Sequence, residues 1–198
     1  KALAAHKSVK LMAGSYMTNG AITGLQSGGM LFANNRHKTK ILARVPDSSP
    51  GSVGYYMVKA TNVSSATVKG IGFDGNVTNY QNDTKTVKNV NQYPGDDLPF
   101  TNIGGVAFNL SQSSGGETYG SNLKVEDCHF EYITTMSIRC ILPTGTDTYK
   151  RVQVLNNTGY KASYSGKFIS IRGLDANLVD GVVVCGNEFK QGAVNRYN

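Results

Sequence analysis

Short runs of alternating apolar and polar residues, separated by glycine, asparagine and serine, recur along the chain. Four segments share one form, in which an anchor valine begins a strand that bends and continues: Val68–Phe73, Val125–Phe130, Val154–Tyr160 and Val184–Phe189. The last three valines follow one another at 29 and 30 residues, whereas the first precedes the second by 57. A strand–bend–strand unit that returns at this period predicts a solenoid, in which stacked units bury their apolar faces against each other.

The same pattern assigns a direction to each side chain. With the valine at position 0 and the bend at position +2, positions 0, +3 and +5 face the core, while +1, +4 and +6 face solvent. Asn157 and Asn187 share inward position +3, where stacked amides can satisfy one another. Tyr160 arrives one residue later than the other aromatics, and this delay predicts a β-bulge in the third unit.

Short strands are predicted along most of the remaining chain, after a short helix within Lys1–Ser8 and with a turn at Ala13–Tyr16. The predicted strands are Val9–Met12, Ala21–Ile22, Met30–Phe32, Lys40–Ala43, Tyr55–Ala60, Ala66–Asp74, Val106–Leu110, Leu123–Tyr132, Ser137–Leu142, Arg151–Leu155, Phe168–Arg172 and Val182–Phe189. Asn76–Gly105 contains prolines and many polar residues, and we interpret it as a surface insertion in a single domain of residues 1–198.

Composition and charge exclude several kinds of partner and cofactor but do not assign a function. The 198 residues include 23 glycines and carry a formal charge of +7, but the lysines are scattered and no aromatic-and-arginine motif accompanies them. We therefore expect no nucleic-acid partner, and the absence of a long apolar run predicts no membrane insertion. The three cysteines lack zinc-ligand spacing, so no metal or cofactor is predicted.

Gly70–Gly75 matches the glycine pattern of dinucleotide-binding loops. That fingerprint requires a helix directly after the glycines. Here Asn76-Val77-Thr78-Asn79 follows, which does not favour a helix. We interpret these glycines as bend residues.

The beginning of the chain resembles a known family. Lys10–Tyr16 (KLMAGSY) is similar to the LPAGTY strand-turn that opens right-handed parallel β-helices of the pectate-lyase-like superfamily, with Met12 in place of the usual proline. Lys1–Ser8 looks like the end of the helix that caps such solenoids, and Val68–Asn76 is typical of their coils. The resemblance implies an all-β fold, a right-handed single-stranded parallel β-helix of roughly six coils with a short N-terminal capping helix.

Within that superfamily the chain most resembles bacteriophage tailspike and capsule-depolymerase domains. The resemblance implies an extracellular, virion-tail homotrimer that binds and cleaves bacterial capsular or O-antigen polysaccharide. The chain begins on a helix fragment and stops soon after a regular unit, so we expect it to be a segment of a longer protein. A non-catalytic adhesin or tail structural protein is the alternative, and Leu155 with Cys185 at outward position +1 would suit a subunit interface.

Two outward positions supply candidate catalytic groups. Position +6 holds Asp74, Glu131 and Lys190, and position +4 holds Gly72, His129, Thr158 and Glu188. Units stacked in register would place Asp74 and Glu131 about 4.8 Å apart along the stack. Glycoside hydrolysis needs one protonated and one ionised carboxyl group, and crowding two carboxyls raises one pKa. The predicted catalytic residues are Asp74, Glu131 and His129, together with Glu126 on another face.

Candidate substrate-binding residues lie in the insertion and at the end of the stack. Tyr80, Tyr93, Asp96 and Asp97 come from the insertion, where tyrosines could stack on sugar rings, and Glu188 occupies position +4 of the last unit. A polysaccharide lyase remains the other enzymatic interpretation. It would need a base and a cation beside a uronate carboxylate, for which Arg139, Arg151 and Arg172 are available.

Overall fold

The computed structural model describes residues 2–44, 55–61, 63–76, 103–108, 122–133, 135–142, 151–160, 168–173 and 181–190. One short helix, α1 (Ala2–Ala5), precedes sixteen strands in these residues. The strands are β1 (Ser8–Leu11), β2 (Gly14–Thr18), β3 (Met30–Ala33), β4 (Thr39–Ala43), β5 (Tyr55–Ala60), β6 (Thr67–Lys69), β7 (Gly72–Asp74), β8 (Ile103–Phe108), β9 (Leu123–Glu126), β10 (His129–Glu131), β11 (Ile138–Leu142), β12 (Val152–Leu155), β13 (Thr158–Tyr160), β14 (Ile169–Gly173), β15 (Val182–Cys185) and β16 (Glu188–Lys190).

The strands form three parallel sheets. The first sheet has the order β1-β3-β6-β9-β12-β15, the second β2-β4-β7-β10-β13-β16 and the third β5-β8-β11-β14. A strand of the first sheet, a bend and the next strand of the second sheet make one unit, and equivalent strands of successive units pair in parallel. The fold is therefore all-β with stacked parallel strands, consistent with the predicted parallel β-solenoid.

A continuous apolar core lies between the three sheets. Val68 and Val125 from the first sheet, Phe73 and Phe130 from the second and Val106 from the third are all buried in it. Phe73 stacks on Phe130 with ring centroids 5.2 Å apart, because the two residues occupy position +5 in adjacent units and pair directly across the sheet. The alternation read from the sequence thus determines which side chains form the core.

The bend between first-sheet and second-sheet strands has a left-handed backbone in four units. Gly70, Asp127, Asn156 and Gly186 all occupy position +2, with φ values of 69°, 53°, 55° and 65°. Glycine, asparagine and aspartate are the residues that adopt this conformation most readily. The predicted bend is confirmed at this position, where Asp127 serves as a turn residue.

Asparagine amides connect the units at inward position +3. The Asn157 side chain accepts a hydrogen bond from Cys128 N at 2.9 Å and donates to Val125 O at 3.1 Å and to Asn187 Oδ1 at 2.9 Å. Asn187 Nδ2 donates in turn to Val154 O at 2.7 Å. The predicted asparagine ladder is confirmed, and it satisfies backbone groups that the bends leave unpaired.

The bulge predicted in the third unit is absent. The register of β12 on β9 and of β13 on β10 is the same, so that Gly159 pairs with Phe130 and Tyr160 with Glu131. Glycine therefore takes the inward aromatic position, and Tyr160 faces solvent with 42% of its surface exposed. Phe189 fills the space over the glycine and comes within 6.3 Å of Phe130.

Three further predictions about the elements were wrong. Gly14–Thr18 forms β2, where a turn was predicted over Ala13–Tyr16. Ile22 forms only an isolated bridge with Val58, in place of the strand predicted there. Val184 lies in the inward column but is 51% exposed, because β15 is the last strand of the first sheet in the described residues.

Candidate functional site

The outward face of the second sheet brings three of the four predicted catalytic residues together: Asp74, His129 and Glu131. His129 pairs with Gly72 and with Thr158, and Glu131 pairs with Asp74. The long insertion therefore does not separate the β6–β7 and β9–β10 units, which are direct neighbours. Position +4 forms a column of Lys40, Gly72, His129, Thr158 and Glu188 along the stack.

A five-residue extension of the second unit lies over this face. The chain takes ten steps from Leu31 to Ile41 but only five between their partners Val68 and Phe73. We call the additional residues, 34–38, the strap. The Asn35 side chain accepts hydrogen bonds from the backbone N–H groups of residues 37 and 38, which stabilises the turn within it.

The strap contacts the site through two side chains. Arg36 Nη1 donates a hydrogen bond to Asn156 O at 2.6 Å, across the two intervening second-sheet strands β7 and β10. The His37 ring lies 5.2 Å from the His129 ring, centroid to centroid. Partial burial, the neighbouring His129 and Arg36 all lower the pKa of His37.

Glu131 is held from two sides. Its Oε1 accepts from His129 Nε2 at 3.0 Å and its Oε2 from Lys40 Nζ at 3.1 Å. Burial acts to raise the pKa of Glu131, but these two hydrogen bonds outweigh burial and hold the pKa below its usual value. Glu131 is therefore an ionised carboxylate at neutral pH, with a quarter of its side chain open to solvent.

Asp74 has the opposite character. Burial raises the pKa of its carboxyl, and the charge of Glu131 adds to the increase. A hydrogen bond from Asn76 N at 2.7 Å and the charge of Lys40 act against it without reversing the direction. Two neighbouring carboxyl groups therefore differ in proton affinity, as an acid and base pair must.

His129 connects Glu131 to a hydroxyl group. Its Nδ1 lies 2.8 Å from Thr158 Oγ1, and its Nε2 lies 3.0 Å from Glu131 Oε1. In a neutral imidazole, donation from Nε2 to the carboxylate leaves Nδ1 as the acceptor of the Thr158 hydroxyl proton. Thr158, His129 and Glu131 thus form a continuous hydroxyl–imidazole–carboxylate chain.

Glu126 lies apart from this group. It belongs to the first sheet, where its Oε2 lies 3.2 Å from Lys69 Nζ and 3.4 Å from Lys124 Nζ. Asp127 lies 3.7 Å from the same Lys69. Burial acts to raise the pKa of Glu126, but the lysines lower it overall. Glu126 is a lysine-paired carboxylate on a different face from Asp74 and Glu131.

The remaining candidates are distributed as follows. Glu188 lies at the end of the +4 column, exposed and ion-paired with Lys190 at 2.7 Å, which lowers the pKa of Glu188. Arg139 and Arg172 belong to strands of the third sheet, and Arg151 directly precedes β12 of the first. The predicted substrate-binding residues Tyr80, Tyr93, Asp96 and Asp97 lie outside the described residues.

Sequence reasoning missed Arg36, His37 and Lys40. The alternation of Thr39–Ala43, with buried Ile41 and outward Lys40, repeats the pattern of the later second-sheet strands and could have placed Lys40 beside the acidic pair. The strap obscured this relation because it lengthens the phrase between Leu31 and Ile41. Nothing in the sequence indicates that Arg36 reaches Asn156 across β7 and β10, or that His37 reaches His129 of β10.

Other features of the described residues do not point to a site. Burial raises the pKa of the Cys128 and Cys140 thiols to about 12, so both are inert at neutral pH. Within the described ranges, no group of three or more His, Cys, Asp and Glu side chains is arranged to hold a metal ion. The described helix is far shorter than a membrane-crossing helix, and no other described segment forms one.

Comparison of the chain with protein-family models, curated proteins and solved structures gives no significant match.

Proposed function

We propose that this protein is a tailspike-like polysaccharide depolymerase that hydrolyses glycosidic bonds with Asp74 and Glu131. In this proposal the fold is a right-handed β-helix of roughly six coils. The assembled protein is a homotrimer on the virion tail, acting on bacterial capsular or O-antigen polysaccharide. The observation that supports hydrolysis is the direct pairing of Asp74 with Glu131 in adjacent strands, with pKa values moved in opposite directions.

The two carboxyl groups take different roles in the proposed reaction. Asp74, with its raised pKa, protonates the leaving glycosidic oxygen. Glu131, which Lys40 and His129 keep ionised, accepts a proton from the attacking water. The separation of the two carboxyl groups distinguishes this inverting role, which needs about 6.5–9.5 Å between them, from a retaining role, in which Glu131 bonds to the sugar at a separation of about 5 Å.

The lyase is a weaker second candidate. It requires a cation that neutralises the uronate carboxylate next to the proton-abstracting base. Arg139 and Arg151 lie with the third and first sheets, away from the Asp74–Glu131 pair. Lys40 could replace them on the second sheet, but it is already engaged by Glu131.

The test is incubation with a panel of bacterial capsular and O-antigen polysaccharides, followed by measurement of reducing ends and of absorbance near 235 nm. Hydrolysis produces reducing ends without new absorbance, whereas a lyase also produces an absorbing unsaturated sugar. Asp74→Asn should remove most of the activity. Asp127→Asn is the matched control, because Asp127 is an aspartate of a neighbouring bend on the first-sheet side.

Equal loss in the two aspartate variants would contradict the assignment of Asp74 as the acid. Silence of the wild-type protein across the panel would favour the non-catalytic adhesin or tail structural protein. Binding without cleavage, measured with the same polysaccharides, would point to the same alternative.

A further inference from the structure

The hydroxyl–imidazole–carboxylate chain on the second sheet has the arrangement of an activated nucleophile. A weak nucleophile such as a hydroxyl becomes reactive when it donates to a base that a third group orients. Thr158 Oγ1 and His129 Nδ1 are 2.8 Å apart, and His129 Nε2 and Glu131 Oε1 are 3.0 Å apart. Both distances lie within hydrogen-bonding range for such a relay.

The fold holds this relay in place. His129 and Thr158 occupy equivalent positions of the adjacent parallel strands β10 and β13, so the strand register fixes the separation of their side chains. Glu131 lies two residues from His129 on the same face of β10. Lys40 fixes the second oxygen of Glu131, which leaves the first oxygen for the imidazole.

A site for ester cleavage also needs hydrogen-bond donors or positive charge where the carbonyl oxygen becomes negative. Arg36 extends from the strap to Asn156 O, two residues before Thr158, and the structure describes one hydrogen bond from its guanidinium. That group carries five N–H donors, so most of them are left for other acceptors. Arg36 is therefore the cation on the strap that lies next to the Thr158 segment.

We propose that Thr158, His129 and Arg36, with Glu131 as the residue that positions His129, form an ester-hydrolysing centre for O-acyl groups. Small esters such as O-acetyl groups on a sugar hydroxyl are the substrate class. The sugar as carrier rests on the proposed function, whereas the ester cleavage itself does not.

The reaction proceeds in two balanced steps. Thr158 Oγ1 bonds to the acyl carbon while its proton passes to His129 Nδ1. The bond from the acyl carbon to the sugar oxygen then breaks, and that oxygen takes the proton from His129. In the second step water gives a proton to His129 Nδ1 and attacks the acyl-threonine, which releases the carboxylic acid and returns the proton to Thr158. The ionised Glu131 stabilises the imidazolium that forms in each step.

The test uses 4-nitrophenyl acetate, which contains no glycosidic bond, so its result is independent of the hydrolase proposal. Thr158→Val removes the hydroxyl with little change of shape and should lower kcat/KM roughly 100-fold or more, to the level of free imidazole. Thr158→Ser retains the hydroxyl and should retain the activity. Thr67→Val is the matched control, a partly buried threonine on a first-sheet strand.

A second measurement identifies the nucleophile directly. A fluorophosphonate probe should add one phosphonyl group to the wild-type protein, and peptide mass spectrometry should place the group on Thr158. The Thr158→Val protein, checked for wild-type thermal unfolding, should not react. Wild-type ester hydrolysis at the free-imidazole level, equal activity in Thr158→Val, or labelling elsewhere would each overturn the proposal.

Discussion

Two carboxylate clusters lie five residues apart in the sequence and on opposite sides of one bend, yet they differ in chemistry. Glu126 ends β9 of the first sheet, and Glu131 ends β10 of the second. The first glutamate lies between Lys69 and Lys124. The second lies between Lys40 and an imidazole, and its neighbour on the adjacent strand is another carboxyl group.

The difference lies in how much of the negative charge is neutralised. Glu126 and Asp127 share two lysines, so the charges of this cluster are balanced, and the lysines lower the pKa of Glu126 overall. On the second sheet Lys40 pairs with Glu131, and burial leaves Asp74 with a raised pKa. Residues of the same type therefore form a salt-bridged surface on one sheet and, on the other, two neighbouring carboxyl groups whose pKa values move in opposite directions.

The largest expected difference between the clusters is catalytic. Glu131→Gln should reduce polysaccharide cleavage roughly 100-fold or more, because it removes the proposed base. Glu126→Gln, the same change on the other cluster, should leave cleavage within about twofold. Reducing-end rates at saturating substrate provide the measurement, and a comparable loss in both variants would show that the two clusters do not differ in catalysis.

Asn157 stabilises the bend between the two clusters, where it accepts a hydrogen bond from Cys128 N. Asn157→Ala leaves the buried Cys128 N–H without its partner and interrupts the ladder to Asn187, which should cost about 1–3 kcal/mol of unfolding free energy. Asn187→Ala should cost less, since Asn187 is partly exposed and water can replace its contacts. Urea unfolding of both variants gives the comparison, and a greater loss for Asn187→Ala would contradict it.

A comparison of Lys40 with Lys69 tests whether the charge of Lys40 acts on the Asp74–Glu131 pair in particular. Lys40→Met removes a cation that lowers the pKa of both Glu131 and Asp74. Both limbs of the pH–rate profile should therefore move to higher pH, because each group then ionises at higher pH. Lys69→Met removes the equivalent charge beside Glu126 and should leave the profile where it is. A Lys40→Met profile at the wild-type position would show that Glu131 and Asp74 do not set the limbs.

The smallest expected effect is on the pH dependence of stability, where the two clusters differ in sign. The folded protein holds the Asp74 proton to higher pH than the unfolded chain, so stability falls as pH rises from the unfolded pKa to the raised one. Asp74→Asn has no carboxyl group to ionise, so its Tm should increase relative to that of the wild type on going from pH 3 to pH 7.

Glu126 behaves in the opposite way, because its folded pKa is lowered. The stability that its ionised form contributes is present above the unfolded pKa and is lost as pH falls through the lowered one. Glu126→Gln should therefore lose stability relative to wild type on going from pH 3 to pH 7, by less than about 1 kcal/mol of unfolding free energy, since both lysine partners are partly exposed to solvent. Calorimetry at both pH values measures the two signs, and equal signs would contradict the pKa directions.

The parts of the fold that depend on alternation could be predicted from the sequence. The valines at position 0 and the asparagines at position +3 could be recognised as inward-facing, because only a few residue types fit these core positions. Tyr160 misled the prediction, since an aromatic residue near the expected position suggested a shifted strand. The register depends on the whole unit, and glycine is tolerated at +5 because Phe189 fills the gap.

The site was only partly accessible from sequence for a related reason. Asp74, His129 and Glu131 could be placed together because they belong to the repeating phrase, and the sheet pairs them in register. Lys40 and the strap come from the unit in which the phrase is lengthened. The reach of Arg36 depends on how a five-residue excursion folds in three dimensions, and no periodicity encodes it.

The strap also affects how cooperatively the molecule unfolds. A stack in which each unit contacts only its neighbours can fray from its ends, one unit at a time, like a one-dimensional chain of weakly coupled segments. The Arg36–Asn156 hydrogen bond joins chain positions 120 residues apart and skips two strands of the second sheet. The β12–β13 unit therefore cannot unfold without breaking this hydrogen bond to the segment before β4. The bond couples the two units, so unfolding of the units between them becomes more cooperative.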